Sequence, residues 1–95
     1  MALLTPEQID DELAGMPGWE YRDGVIVREY EFADGFVGSI RFVNRLADAA
    51  EAANHHPDLA ISWNKVTVTL STHSEGGVTQ KDISLAAQAE GLASG

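Results

Sequence analysis

The sequence has no cysteine, few basic residues and no long apolar run, and each absence excludes a class of protein. Without cysteine, a domain of 95 residues has neither disulfide bonds nor thiolate metal ligands, so packing or oligomerisation must stabilise it. Six Lys and Arg residues against fifteen Asp and Glu residues give a formal charge of −9, which disfavours direct binding to nucleic acid or anionic lipid. No apolar run approaches the ~18 residues of a membrane-spanning helix.

The remaining composition is that of an ordinary globular protein, with 44% hydrophobic and 22% charged residues. A chain this short builds one hydrophobic core, so we expect residues 1–95 to form a single domain. Its first residues do not show the basic and then apolar pattern of a secretory signal. We therefore expect a soluble, cytoplasmic protein.

A first helix is predicted near the N-terminus. Thr5 and Gln8 have the spacing of a capping box, and Pro6 suits the first helical position. The helix is expected to end near Gly15 and Pro17, because glycine and proline commonly follow a helix end.

A β-hairpin is predicted to follow this helix. Trp19–Arg22 and Val25–Phe32 are rich in residues that favour strands. Asp23-Gly24 lies between them and suits the positive φ angles of a tight turn. These segments therefore predict the first two strands of a sheet.

Apolar residues at three- and four-residue steps predict a second helix. Asp34 is expected to cap it. The helix should end at or just before His55-His56, because Pro57 disfavours helical backbone at the residue before it. The stripe expected to face the core consists of Phe36, Ile40, Val43, Leu46, Ala47, Ala50 and Ala53.

Two further strands and a last helix complete the predicted order. Ile61–Trp63 and Val66–Ser71 have the composition of strands, joined by a turn at Asn64-Lys65. Thr79 and Asp82 resemble a capping box for a helix that runs to about residue 91. The order α-β-β-α-β-β-α favours an α+β fold in which a four-stranded antiparallel sheet carries the helices on one face.

The three histidines of the chain lie in two places, His55-His56 at a helix end and His73 at the end of a strand. Histidine both donates and accepts protons near neutral pH, which suits general acid–base elimination. Spacing alone leaves open a structural role as caps or partly buried polar groups. A zinc site is disfavoured, because adjacent histidines point in different directions and no HxH, HExxH or cysteine pair accompanies them.

Other candidates near the histidines each have a structural alternative. Glu51 precedes His55 by four residues and either orients its imidazole or is an ordinary surface carboxylate. A capping box alone accounts for an acidic residue at Asp82. Trp19 and Trp63 offer flat rings for stacking on a heterocycle, although tryptophans in small domains are more often core residues.

The chain contains a set of segments that occur together in one protein family. They are Glu51–Asp58, Asn64–Val66, Leu70–His73 and Lys81–Ile83, together with Gly18-Trp19 and Gly77. With them, the chain resembles the pterin-4a-carbinolamine dehydratases over nearly its whole length. The specific element is His-His-Pro with a downstream Ser-Thr-His and Asp. The resemblance implies a two-layer α+β fold, no metal or organic cofactor, and loss of water from a 4a-hydroxytetrahydropterin to give the quinonoid dihydropterin.

The resemblance also implies the site residues. His55, His56 and His73 would be the active-site histidines, with Asp82 as the nearby carboxylate. The residues expected to contact the pterin or lie near it are Asn54, Ser71, Thr72, Ser74, Glu51 and Trp19. Lys81 departs from an arginine that is common in animal members.

Two other functions stay open on these grounds, a non-catalytic module that dimerises or stabilises a partner protein, and a metal-binding protein. Retention of all three histidines favours the enzyme. We also expect a homo-oligomer, for which the resemblance implies a dimer or tetramer, because a small sheet exposes its edges. Val25–Phe32 and Val66–Ser71 are the strands predicted to pair between subunits.

Overall fold

A computed structural model of the chain describes residues 3–94. Helices and strands follow the order α1 (Pro6–Leu13), β1 (Glu20–Arg22), β2 (Val25–Glu31), α2 (Phe36–Ala53), β3 (Asp58–Ser62), β4 (Lys65–Leu70) and α3 (Gln80–Ser94). A short 3-10 turn at His73–Glu75 separates β4 from α3. The predicted α+β class and the order α-β-β-α-β-β-α are confirmed. None of the helices in the described range is long and apolar enough to cross a membrane.

The local signals at the N-terminal end act as predicted. Thr5 accepts a hydrogen bond from the backbone N–H of Gln8, and the Gln8 side chain accepts one from Thr5, so the capping box is complete. Asp23 and Gly24 turn the hairpin with φ angles of 49° and 80°. Both features depend on residues that are neighbours in sequence.

The four strands form one antiparallel sheet in the order β1-β2-β4-β3. The prediction that β2 and β4 offer free edges is therefore wrong, because they pair with each other in the middle of the sheet. The edges are β1 and β3 instead. The long α2 connection carries the chain past one strand position to the far edge, and β4 then returns to fill the gap.

One face of the sheet forms the core with the helices. Val66, Val68 and Leu70 of β4 are fully buried and alternate with partly exposed residues, as expected for a strand covered on one side. Phe42 and Leu46 of α2 are buried over this face. Each large apolar side chain buried in this way contributes about 1.5–3 kcal/mol relative to its exposed state.

The start and orientation of α2 differ from the prediction. Gly35 rather than Asp34 occupies the capping position, and Asp34 instead pairs with Arg41 at 3.1 Å. Of the predicted stripe, Leu46 and Ala50 are buried, Ile40 and Val43 are partly exposed, and Phe36, Ala47 and Ala53 are exposed. Gly38, Ser39 and Phe42 complete the buried side. The Phe42 ring lies 5.0 Å from Tyr30 and 5.3 Å from Phe32, centroid to centroid, and these contacts turn its side of the helix to the sheet.

The second hairpin is also displaced from its predicted position. β3 begins at Asp58, three residues earlier than predicted, and the turn lies at Trp63-Asn64. Trp63 has a φ of 52°, a conformation that bulky residues rarely adopt, so composition offered no signal for a turn there. Pairing of Asp58 with Thr69 extends the hairpin to its full length.

Candidate active site

The C-terminal end of α2 sets the direction of the first two histidines. Asn54 ends the helix in the left-handed conformation with a φ of 50°, which asparagine tolerates better than most residues. The backbone N–H of His55 then donates to the carbonyl of Ala50 at 3.1 Å, a bond typical of a helix C-terminus. Pro57 restricts His56 to extended backbone before β3 begins.

The loop after β4 places the third histidine. Its ends are joined by a bond of 2.7 Å from the N–H of Thr72 to the carbonyl of Gly77. Between them, His73 opens the 3-10 turn, and Gly76 closes it with a φ of 79°. The side chain of His73 is exposed. These backbone bonds fix the position of the His73 backbone beside the end of α2.

A cleft of about 280 Å³ lies between these two segments. Its lining consists of Asn54, His55, His56, Ser71, Thr72, His73, Ser74 and Lys81. Ligand pockets commonly start at about 300 Å³, so this cleft is near the lower end of that range. The structure therefore brings together the three histidines and four of the other residues named from the sequence.

Asp82 lies behind the cleft and contacts His55. The carboxylate is fully buried, and its Oδ1 is 2.5 Å from Nε2 of His55, whose side chain is 11% exposed. The other oxygen, Oδ2, accepts from the backbone N–H of Thr79 at 2.9 Å and from the hydroxyl of Thr72 at 2.8 Å. A buried carboxylate is costly unless donors surround it, and here three do.

Asp82 therefore serves both as a helix cap and as a partner of histidine. The bond from the Thr79 N–H is the returning half of the predicted capping box. The hydroxyl of Thr79 receives the N–H of Lys81 rather than that of Asp82. Because an ionised carboxylate only accepts hydrogen bonds, the His55 nitrogen that faces it carries a proton.

His56 has a carboxylate partner of a different kind. Its Nε2 contacts Oε2 of Glu51, and both side chains are largely exposed, at 57% and 76%. An exposed ion pair contributes little to stability, roughly 0–1 kcal/mol. Glu51 itself does not line the cleft and reaches it only through His56.

Trp19 takes no part in the cleft. Its ring is buried, packs edge-on against Tyr30 and donates its N–H to Glu90 at 2.8 Å. The structure thus makes Trp19 part of the core. Its position near a bound pterin stays a prediction that rests on the resemblance alone.

Lys81 and Thr79 join the site although neither was named as a site residue from the sequence. Lys81 lines the cleft and also a second hollow of about 140 Å³, which His55 lines as well. The sequence feature that could have identified them is their position beside Asp82 at the predicted start of a helix. Within residues 3–94, no group of three His, Asp or Glu side chains is placed to hold a metal ion.

Comparison with known proteins gives a family for this arrangement. A family model described as Pterin 4 alpha carbinolamine dehydratase matches residues 2–92. A protein of Thermosynechococcus vestitus, provisionally named a pterin-4-alpha-carbinolamine dehydratase, is 54% identical over 90 residues, which are 95% of this chain and 94% of that protein.

Two solved structures are also similar. A crystal structure from Brucella melitensis, described as a transcriptional coactivator/pterin dehydratase, has a TM-score of 0.91 and 35% identity over 96% of this chain and 98% of that chain. A second, described as a pterin dehydratase-like protein and RuBisCO assembly factor in the alpha-carboxysome, has a TM-score of 0.65 over 79% of this chain and 86% of that chain. At 18% identity it shares the fold alone.

Proposed function

The chain belongs to the pterin 4 alpha carbinolamine dehydratase family, and we propose that it is a lyase that removes water from a 4a-hydroxytetrahydropterin. The product is the quinonoid dihydropterin. During the reaction the C4a–O bond breaks, the proton on ring N5 is removed, and a C4a–N5 double bond forms. The hydroxyl and one proton leave together as water.

The observation that carries this proposal is the lining of one cleft by His55, His56 and His73. The elimination needs an acid that protonates the departing hydroxyl and a base that accepts the N5 proton. Imidazoles perform both tasks near neutral pH, and general acid–base catalysis contributes about 10²–10⁴-fold to a rate.

The three histidines have different surroundings, which support different roles for them in the elimination. His55 is held by buried Asp82 through Nε2, which leaves Nδ1 as its nitrogen for substrate. His73 lies on the facing loop, and we assign proton transfer to His55 and His73. His56, exposed and paired with Glu51, is assigned mainly to binding and orienting the ring.

The test is the rate of 4a-hydroxytetrahydropterin dehydration with the purified protein, measured against the spontaneous rate. We expect His55→Ala and His73→Ala each to lower kcat by about 10²-fold or more, with the fold retained by circular dichroism. His56→Ala should raise KM together with any loss of kcat.

Glu29→Gln is the matched control, since Glu29 is an exposed charge on β2 that lines a different part of the surface from the cleft. It should leave both constants unchanged. Dehydration no faster than the spontaneous rate, or unchanged kcat in both His55→Ala and His73→Ala, would contradict the proposal.

A non-catalytic interaction module is the alternative. Phe36, Val37 and Trp63 are 52%, 54% and 70% exposed, and exposed apolar side chains of this size are typical of protein-binding surfaces. The similar solved structure from Brucella melitensis, at 35% identity, is described as a transcriptional coactivator as well as a pterin dehydratase. An inactive protein with a normally folded cleft would favour this function over catalysis.

We also propose that the protein is a homo-oligomer that pairs through β3. All five residues of β3 are exposed, and no strand within residues 3–94 pairs with its outer edge. Leu59 and Ile61, 36% and 42% exposed, pair with buried Val68 and Val66 and so share the helix-covered side of the sheet. A twofold axis along this edge would bury both and join two sheets.

Light scattering at micromolar concentration tests this assembly. We expect a mass at least twice the 10.2 kDa of one chain. Ile61→Lys should shift the mass toward one chain, whereas Glu29→Lys should leave it unchanged. A mass near 10.2 kDa for the unmodified protein would contradict the proposal.

A further inference from the structure

Two threonine hydroxyls lie behind Asp82, on the side away from His55. Thr72 is 6% exposed and Thr79 is fully buried. The hydroxyl of Thr72 is 2.8 Å from Oδ2 of Asp82 and also 2.8 Å from the hydroxyl of Thr79. Although Thr72 borders the cleft, its polar group is turned inward.

The direction of each hydrogen bond among Thr72, Thr79 and Asp82 follows from the number of protons that each side chain carries. A hydroxyl has one proton, and that of Thr72 goes to Asp82, since a carboxylate oxygen only accepts. The hydroxyl of Thr79 must therefore donate to Thr72. Its own oxygen accepts the backbone N–H of Lys81 at 3.3 Å. The result is a one-way chain from the start of α3 to Asp82.

We propose that the hydroxyls of Thr72 and Thr79 are positioning groups that hold Asp82 and, through it, keep the proton of His55 on Nε2. With Oδ2 held by two donors, Oδ1 is left to accept from His55. The free nitrogen of the imidazole is then Nδ1. The catalytic part of the inference rests on the proposed dehydration, and it places Thr72 in the support of the site rather than in contact with substrate.

Nitrogen-15 NMR of labelled histidine tests the chain without any reaction. We expect the neutral His55 ring to carry its proton on Nε2, with the signal assigned by its loss in His55→Gln. Thr72→Val and Thr79→Val remove one hydroxyl each with little change of shape. Thr72→Val removes a donor that holds Oδ2, and Thr79→Val weakens that donor, so the carboxylate is free to turn away from His55. The ratio of the Nε2-protonated to the Nδ1-protonated tautomer should then fall by about tenfold.

Thr72→Ser and Thr79→Ser are the matched controls, since they keep the hydroxyl and should keep the tautomer of the unmodified protein. A neutral His55 protonated on Nδ1 in the unmodified protein would overturn the inference. So would an unchanged tautomer ratio in both valine variants. Where a valine variant does not fold, a mixed tautomer in the corresponding serine variant contradicts the inference, and a retained Nε2 tautomer supports it.

The kinetic constants distinguish a threonine that positions Asp82 from one that contacts substrate. The valine variants should lower kcat by about tenfold, change KM by less than about twofold, and recover in the serine variants. A rise in KM with an unchanged tautomer in Thr72→Val would instead mean that Thr72 binds substrate. If the unmodified protein does not accelerate dehydration, the proposed function fails, while the NMR spectra still decide whether the threonines set the tautomer of His55.

Discussion

Glu90→Ala is expected to lower the free energy of unfolding by about 3 kcal/mol, although Glu90 lies outside the candidate site. One oxygen, Oε1, accepts from the indole N–H of Trp19 at 2.8 Å, the guanidinium of Arg28 at 2.5 Å and the hydroxyl of Tyr30 at 2.7 Å. These contacts join the loop before β1, the central strand β2 and the last helix. A single carboxylate therefore ties three parts of the chain together.

The magnitude follows from the burial of the donors. Trp19 and Tyr30 are each 5% exposed, so removal of the carboxylate leaves two buried donors unsatisfied, at about 1–3 kcal/mol apiece. The Arg28 and Glu90 side chains are 25% and 30% exposed, so the charge of Arg28 can turn to water and adds little. For a domain of this size, a loss of about 3 kcal/mol lowers Tm by roughly 12–24 °C.

Urea and thermal unfolding, followed by circular dichroism at one fixed protein concentration, measure the effect. Glu90→Gln keeps an acceptor oxygen and should lose only about half as much. Glu29→Ala removes an exposed carboxylate, 3.9 Å from Lys65, and should change the free energy of unfolding by less than about 0.5 kcal/mol. A Glu90→Ala protein as stable as the Glu29→Ala protein would refute the reasoning.

Three smaller effects are also expected. Burial and then the hydrogen bond to Glu90 raise the pKa of Tyr30 above its ordinary value of 10.0. The raised pKa therefore contributes stability to the folded protein that is complete below pH 10 and is lost as pH rises beyond it. In a Tyr21→Phe protein, in which Tyr30 is the remaining tyrosine, tyrosinate absorbance should rise only with unfolding, and a rise centred near pH 10.0 in the folded protein would contradict this. Trp63→Gly should raise the free energy of unfolding in urea by about 1 kcal/mol by relieving a positive φ, and a loss of stability would mean that contacts of the ring outweigh the strain. Thr5→Ala should lower the free energy of unfolding by about 1 kcal/mol because the capping bond is lost, whereas Thr5→Ser should leave it nearly unchanged.

Sequence reasoning predicted features whose causes lie within a few residues of one another. The capping box of Thr5 and Gln8 and the turn at Asp23-Gly24 depend on local backbone preferences, and both are present. The rotation of α2 has a cause of another kind. It follows from contacts of Phe42 with the rings of Tyr30 on β2 and Phe32 just after β2, ten or more residues away along the chain, so the stripe of apolar residues could not reveal it.

The prediction that β2 and β4 lie at the edges of the sheet was wrong for a related reason. A crossover helix carries the chain across the sheet, and alternation of polar and apolar residues is the same for a strand paired on both sides as for one at an edge. Burial of every second residue in β4 was therefore compatible with either position. The complete exposure of β3 is the feature that marks a free edge, and it is visible only once the helices are in place.

At the candidate site, Asp82 makes a second contact that the sequence did not predict. A carboxylate has two oxygens that point in different directions, and at Asp82 the helix start occupies Oδ2 while Oδ1 reaches His55, 27 residues earlier in the chain. A capping box explains the acidic residue completely, so spacing offers no reason to look for another partner. Thr72 is the reverse case, because its place in a Ser-Thr-His motif suggests contact with substrate while its hydroxyl serves the carboxylate. Where a motif meets a helix start, the hydrogen bonds of the side chain, rather than its place in the motif, decide which group meets the substrate.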